Sequence, residues 1–312
     1  MIVQGNKEAA VRQVTTTTPH GQTLSTMLYW ALSNVPPCDC HLLHLDLECC
    51  GSDKGFSLLV KSNIGDTRLT SCVPGIEMQL TQANDLVLEV VTSNTGTVCA
   101  SDASHSLCQM LFAAQQDQAN YLLGNFVVKN IHRPQPCAPA HCGSITLHDM
   151  IHKKGVTTYD RMIWATKLSN AALSFYSSPW IKGWTTRTIK FFAEYEQSPE
   201  PASWKPHIST TSGSSAPYFP DNIEVYSLGV MLLEIGGFDI EEFKKKPQPE
   251  VLQEAFGAIM RQMGRQYKQV AQRCFMAYQQ SQVQGESPED CVAVLSQEVT
   301  KLQKEIDACF SF

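Results

Sequence analysis

Between Cys38 and Cys50 the chain crowds side chains able to bind a metal: Cys38, Cys40, His41, His44, Asp46, Cys49 and Cys50. Zinc centres favour a C-x2–4-C pair with a second pair further along. C-x-C followed by H-x-x-H matches that pattern poorly, and on an extended strand His41 and His44 fall on opposite sides. Ordinary strand residues are the favoured reading, and no metal is assigned. A second group, His132, Cys137, His141 and Cys142, lies in a proline-rich stretch that reads as a loop, with elemental analysis as its check. No G-x-S-x-G element or cysteine-nucleophile motif occurs. The runs Lys153–Lys154 and Lys244–Lys246 read as solvated basic faces. In PWIKGWTTRTIKFF, Trp180 and Trp184 flank a loop that carries Arg187. The two indoles read as core anchors, or as the wall of a small-molecule pocket. Arg187 can take an anion or pair with Glu224.

These groups sit in a chain of 312 residues, 43% hydrophobic and 17% charged, with a net charge of -6. That composition is globular. It offers no basic face for nucleic acid. No stretch is long and apolar enough for a membrane span. Met1 to Val35 lacks the continuous apolar core of a signal peptide. The twelve cysteines are scattered, several of them in apolar runs. Reduced, buried thiols in a cytoplasmic protein are therefore expected, with no cofactor.

The elements follow from periodicity. Residues 1–37 form an extension with a short helix from Thr23 to Leu32, closed by Pro36 and Pro37. Residues 38–131 read as strand-rich. The segment His41–Leu47 and the segment Phe56–Lys61 make a hairpin around Gly51 to Gly55, with further strands at Leu86–Thr92 and Tyr121–Asn130 and a helix at Ala103–Gln116. Residues 132–143 contain three prolines and no periodicity, which marks a hinge. Residues 144–312 are helical. A helix is expected over Ser144–Lys154. Another spans Thr157–Ser177, capped by Thr157 and striped by Met162, Ala165, Leu168, Ala172, Leu173 and Tyr176. A short apolar strand follows at Ile189–Phe192. The polar stretch Ala193–Pro220 carries little order. Helices close the chain at Pro249–Met263, Tyr267–Tyr278 and Pro288–Phe310.

The organising element is Asp221–Gly237, DNIEVYSLGVMLLEIGG. Asp221 and Glu224 suit a capping box. Val225, Leu228, Val230, Met231, Leu232, Leu233 and Ile235 point all round, which marks a buried helix. Gly236 and Gly237 supply a left-handed stop. The segment EVYSLGVMLLEI resembles the D-V-[WY]-S-[FLM]-G-[VI]-x-[LM]-x-E-[LM] helix at the centre of the large lobe of protein kinases. From about Cys38 onward the chain is similar to a fungal family of kinase-like domains that have lost the catalytic motifs, often found C-terminal to helical segments in incompatibility and immunity-like proteins. The resemblance implies an α+β, two-lobed protein-kinase-like fold, with a small strand-rich N-lobe and a larger helical C-lobe.

It also says where catalytic groups would stand. Aligned on Ile189, Gly183 falls on the catalytic aspartate and Thr188 on the metal-binding asparagine. The loop from Trp180 to Ile189 contains neither carboxylate nor histidine. Nothing from Ala193 to Asp221 matches the magnesium-binding D-F-G triplet; Glu194 and Glu196 read as a solvated pair. Lys61, in SLLVKS, is similar to the phosphate-gripping lysine, with Glu77 as its partner, but GSDKG is not a G-x-G-x-x-G loop and an exposed lysine at a strand end is favoured. Glu224, Tyr226 and Gly229 carry the structural part of the motif. The expected function is that of a pseudokinase, a binding or regulatory module for a protein partner or small-molecule ligand. The alternatives are a repurposed enzyme acting on a small metabolite, as in fungal secondary metabolism, with Lys61, Glu77, Trp180, Trp184 and Arg187 lining its cleft, and nucleotide binding without transfer.

Overall fold

The computed structural model describes residues 18–33, 41–48, 56–62, 76–82, 98–99, 121–123, 126–132, 144–176, 178–192, 204–210, 223–239, 249–284 and 288–310. The strand expected at Leu86–Thr92, the helix at Ala103–Gln116, the hinge beyond His132, and Asp221 lie outside these residues.

The described chain is α+β. Helix α1 (Thr18–Ser33) leads into six strands: β1 (His41–Asp46), β2 (Phe56–Ser62), β3 (Ile76–Gln82), β4 (Val98–Cys99), β5 (Tyr121–Leu123) and β6 (Phe126–His132). Then come β7 (Ser144–Thr146), α2 (Leu147–Ile151), α3 (Thr158–Ser174), β8 (Ile189–Phe192) and β9 (His207–Thr210). Helices α4 (Ile223–Ile235), α5 (Pro249–Met263), α6 (Arg265–Gln284) and α7 (Pro288–Phe310) complete it. No described helix is long and apolar enough to cross a membrane.

Among the described residues the strands form one sheet, in the order β4-β5-β6-β3-β2-β1-β9-β8-β7. The expected hairpin is present: β1 and β2 run antiparallel, with Leu43 opposite Val60. The other edge of β1 pairs with β9, Leu45 opposite Ile208. A strand from the first half of the chain thus meets one from the second. Strand β1 therefore lies inside the sheet with both faces covered, and Leu43, His44, Leu45 and Asp46 are all buried. Its polar residues are matched rather than solvated. His44 Nδ1 is 2.8 Å from Ser209 Oγ, and Asp46 Oδ1 accepts from Glu48 N at 2.8 Å. Both were candidates for a metal cluster. Each instead has a partner close by in the fold, and the side chains of Cys38, Cys40, His41, Cys49 and Cys50 lie outside the described residues.

Several expectations need correction. The helix expected over Ser144–Lys154 begins as a strand: β7 pairs with β8, Ile145 opposite Phe191. Only Leu147–Ile151 is helical, capped by Thr146, which accepts from Asp149 N at 3.1 Å. Sheet pairing overrides a helical spacing too short to be stable alone. The stretch expected to lack order contains β9, with Trp204, His207 and Ile208 buried. The single strand expected at Tyr121–Asn130 is instead two antiparallel strands, β5 and β6, with Tyr121 opposite Val128, because the segment folds back on itself between Leu123 and Phe126, which pair with each other. Thr157 and Asp160 close a full capping box on α3, and every residue of its expected stripe is buried.

Helix α4 sits at the heart of the helical half, against α3, α5 and α6. Leu228, Leu232, Leu233 and Ile235 have no exposed surface. It ends in a Schellman motif. Phe238 N donates to Leu233 O at 3.0 Å and Gly237 N to Glu234 O at 2.9 Å. Gly237 adopts a φ of 87°, which a side chain would strain. Helix α1 belongs to the same core. Trp180 Nε1 donates to Ser25 O at 3.0 Å, and the Tyr29 and Trp180 rings meet edge to face.

Candidate functional site

The loop between α3 and β8 is built as a support. Ser178 caps a single 3-10 turn, Pro179–Ile181. Gly183 follows with a φ of 72°. Trp184 is 1% exposed, and its indole N–H donates to the main-chain oxygen of Glu224 at 3.0 Å. The Thr188 hydroxyl donates to Thr185 O at 3.0 Å and accepts from Thr185 N at 2.8 Å, closing a tight turn. Thr188, where the resemblance would seek a magnesium ligand, thus spends its hydroxyl on the turn. Trp180 and Trp184 are core anchors. Arg187 is exposed, and Glu224 is buried. Through Trp184 this loop is tied to the backbone of α4.

Beside this loop, three segments converge on one carboxylate. Glu234, near the end of α4, has a side chain 12% exposed, and its Oε1 lies 2.5 Å from Nδ1 of His148 on α2. The Thr186 hydroxyl donates to its Oε2 at 2.7 Å. Main-chain N of His148 donates to Thr186 O at 3.0 Å, so the loop and α2 are also joined through their backbones. His152 stands at the C-cap of α2, exposed, its ring 4.8 Å from that of His148. Arg161 on α3 braces the group. Its guanidinium donates to Ile235 O and, at 2.6 Å, to Ile151 O. A cation is favourable at a helix C-terminus, and here one residue serves two. Burial holds the Arg161 guanidinium below its ordinary pKa. His148, His152 and Glu234 offer ligand atoms that all lie within 4.8 Å of one another, which makes them the metal-capable group among the described residues.

The other candidates fall elsewhere. Leu59 of β2 is opposite Glu77 of β3, so Lys61 and Glu77 occupy neighbouring strands two register positions apart. Tyr226 packs edge to face on Phe275 of α6. Gly229 faces α6 closely: a Cβ there would stand 3.0 Å from Cys274 Cβ. The cluster around Glu234 is not among the sequence candidates. Its one sequence signal is H-x3-H at His148 and His152, and the acid that completes it lies 86 residues from His148.

Over residues 36–308 the chain matches the model of a family described as a domain of unknown function (DUF7580). No curated protein matches the chain.

Proposed function

The chain belongs to the DUF7580 family, and within that family we propose that it is a catalytically degenerate kinase-like domain, a pseudokinase that acts as a binding or regulatory module for a protein partner in the cytoplasm. The observation that carries the reading is the fate of the loop from Trp180 to Ile189. Phosphoryl transfer needs an acid to orient the nucleophile and ligands to hold magnesium. In this loop the equivalent places carry a glycine with a left-handed backbone and a threonine whose hydroxyl closes a turn. Removing one preorganised charge-stabilising group costs about 2–4 kcal/mol of barrier. Losing several leaves no useful rate. What remains is the supporting frame: a buried central helix with a tryptophan of the loop locked onto its backbone. The fungal kinase-like resemblance and the two-lobed arrangement are part of this same reading.

The test has two arms. The full chain is incubated with labelled ATP, magnesium or manganese and generic acceptor proteins, and no transfer is expected. A thermal-shift screen with nucleotides runs in parallel, because a ligand that prefers the native state must stabilise it. Robust transfer, abolished by alanine at Lys61, would overturn the proposal.

A further inference from the structure

We propose that His148, His152 and Glu234 form a binding site for one divalent transition-metal ion of the zinc class. Two imidazoles and a carboxylate are a ligand set that zinc accepts, and three protein ligands leave one coordination position for solvent or substrate. The site is suitably placed for exchange: His152 is exposed, while His148 and Glu234 are partly covered. It also joins α2 to the end of α4, with His148 and Glu234 86 residues apart in the chain.

The distances fit an ion-free state of such a site. Nitrogen and oxygen ligands about 2.0–2.1 Å from zinc stand roughly 3.3–3.5 Å apart around a tetrahedron. The His148 Nδ1 to Glu234 Oε1 contact of 2.5 Å is tighter than that. The widest separation, within 4.8 Å, is looser. A rotation of the exposed His152 side chain and an opening of the His148–Glu234 contact by about 1 Å bring all three onto one ion.

The surroundings are those of a prepared ligand shell. Thr186 holds Oε2 of Glu234, which leaves Oε1 facing the imidazoles. Such outer hydrogen bonds orient ligands and typically carry about 10–100-fold of metal affinity. Arg161 fixes the backbone at Ile151 and Ile235, the residues adjoining His152 and Glu234, and its charge is directed onto those two carbonyls.

The experiment uses the full chain stripped with a chelator. Cobalt is added first as a spectroscopic stand-in, then zinc is titrated by calorimetry. One equivalent should bind, with the visible bands of low-coordinate cobalt. Because thiolates are good zinc ligands in general, the variants decide. His152→Ala, at an exposed position, should fold normally and weaken binding at least about tenfold. Thr186→Val should weaken it about 10–100-fold without removing a ligand. No binding by the parent chain, or cobalt spectra and affinities in His152→Ala and Glu234→Gln that match the parent, would overturn the proposal.

Discussion

Gly229→Ala sets two effects of known size against each other at the centre of the fold. Alanine is worth about 0.8–1.0 kcal/mol over glycine inside a helix, so propensity alone predicts a gain. The space around Gly229 predicts a loss. A Cβ built there stands 3.0 Å from Cys274 Cβ, 3.0 Å from Phe275 Cε2 and 3.2 Å from Phe275 Cδ2. Cys274 Cβ is attached directly to the backbone of α6 and cannot swing aside. The Phe275 ring is wedged between Tyr226 and Phe256. Relief requires the helices to part by a few tenths of an ångström, and overpacking of this kind typically costs about 1–3 kcal/mol. The second effect wins, for a net destabilisation of about 1 kcal/mol. Gly257→Ala is the control. Its Cβ meets only Arg261 Nη1, at 3.7 Å, the tip of a flexible side chain. That variant should gain about 0.5–1 kcal/mol. Urea unfolding of both, read as midpoint shifts at constant slope, separates the signs. A Gly229→Ala chain as stable as the parent, beside a stabilised Gly257→Ala chain, would refute the claim that α4 and α6 are locked at this distance.

Two further outcomes follow from the same contacts. Trp184→Phe deletes the donor to Glu224 O and leaves a void in the core; a loss of about 2–4 kcal/mol is expected by thermal unfolding, and an unchanged midpoint would show that the loop is not anchored there. Burial tends to raise the Glu298 carboxyl, but hydrogen bonds from Lys301 and Gln266 outweigh it and hold the group below its ordinary value. A carboxylate lowered in this way stabilises the fold above its unfolded pKa, and that contribution fades as pH falls through the folded value. The stability gap between the parent and Glu298→Gln should therefore be widest near neutrality and close in the acid range; a gap that is constant with pH would contradict the assignment.

What could be read from the chain alone was what local order encodes. Helix α7 was expected at Pro288–Phe310 and lies there, because its apolar residues repeat over many turns. The cap of α3 was equally legible, since Thr157 and Asp160 interact across three residues. Strand β9 was not legible. Its four residues, HIST, gain their extended shape from β1 and β8, and nothing in a polar neighbourhood announces such partners. Strand β3 was missed for the same reason. The Glu234 cluster was invisible because its members come from separate segments, and Glu234 reads as one more residue of the kinase-like helix motif. The loop at Trp180–Ile189 was legible in what it lacks, but the hydrogen bonds that give Thr188 and Thr186 their tasks appear only in three dimensions.

The pairing of β1 with β9 has a consequence for biogenesis. Its cross-strand partners, such as His44 and Ser209, are 165 residues apart. While the ribosome is still making the second half, β1 presents a row of bare amides and carbonyls flanked by Leu43 and Leu45, the kind of open margin that recruits other chains. Closure waits until Ser209 has left the exit tunnel, so a fragment ending within the proline-rich sequence 132–143 should be sticky rather than self-sufficient, and the nascent protein has reason to be chaperoned through that interval.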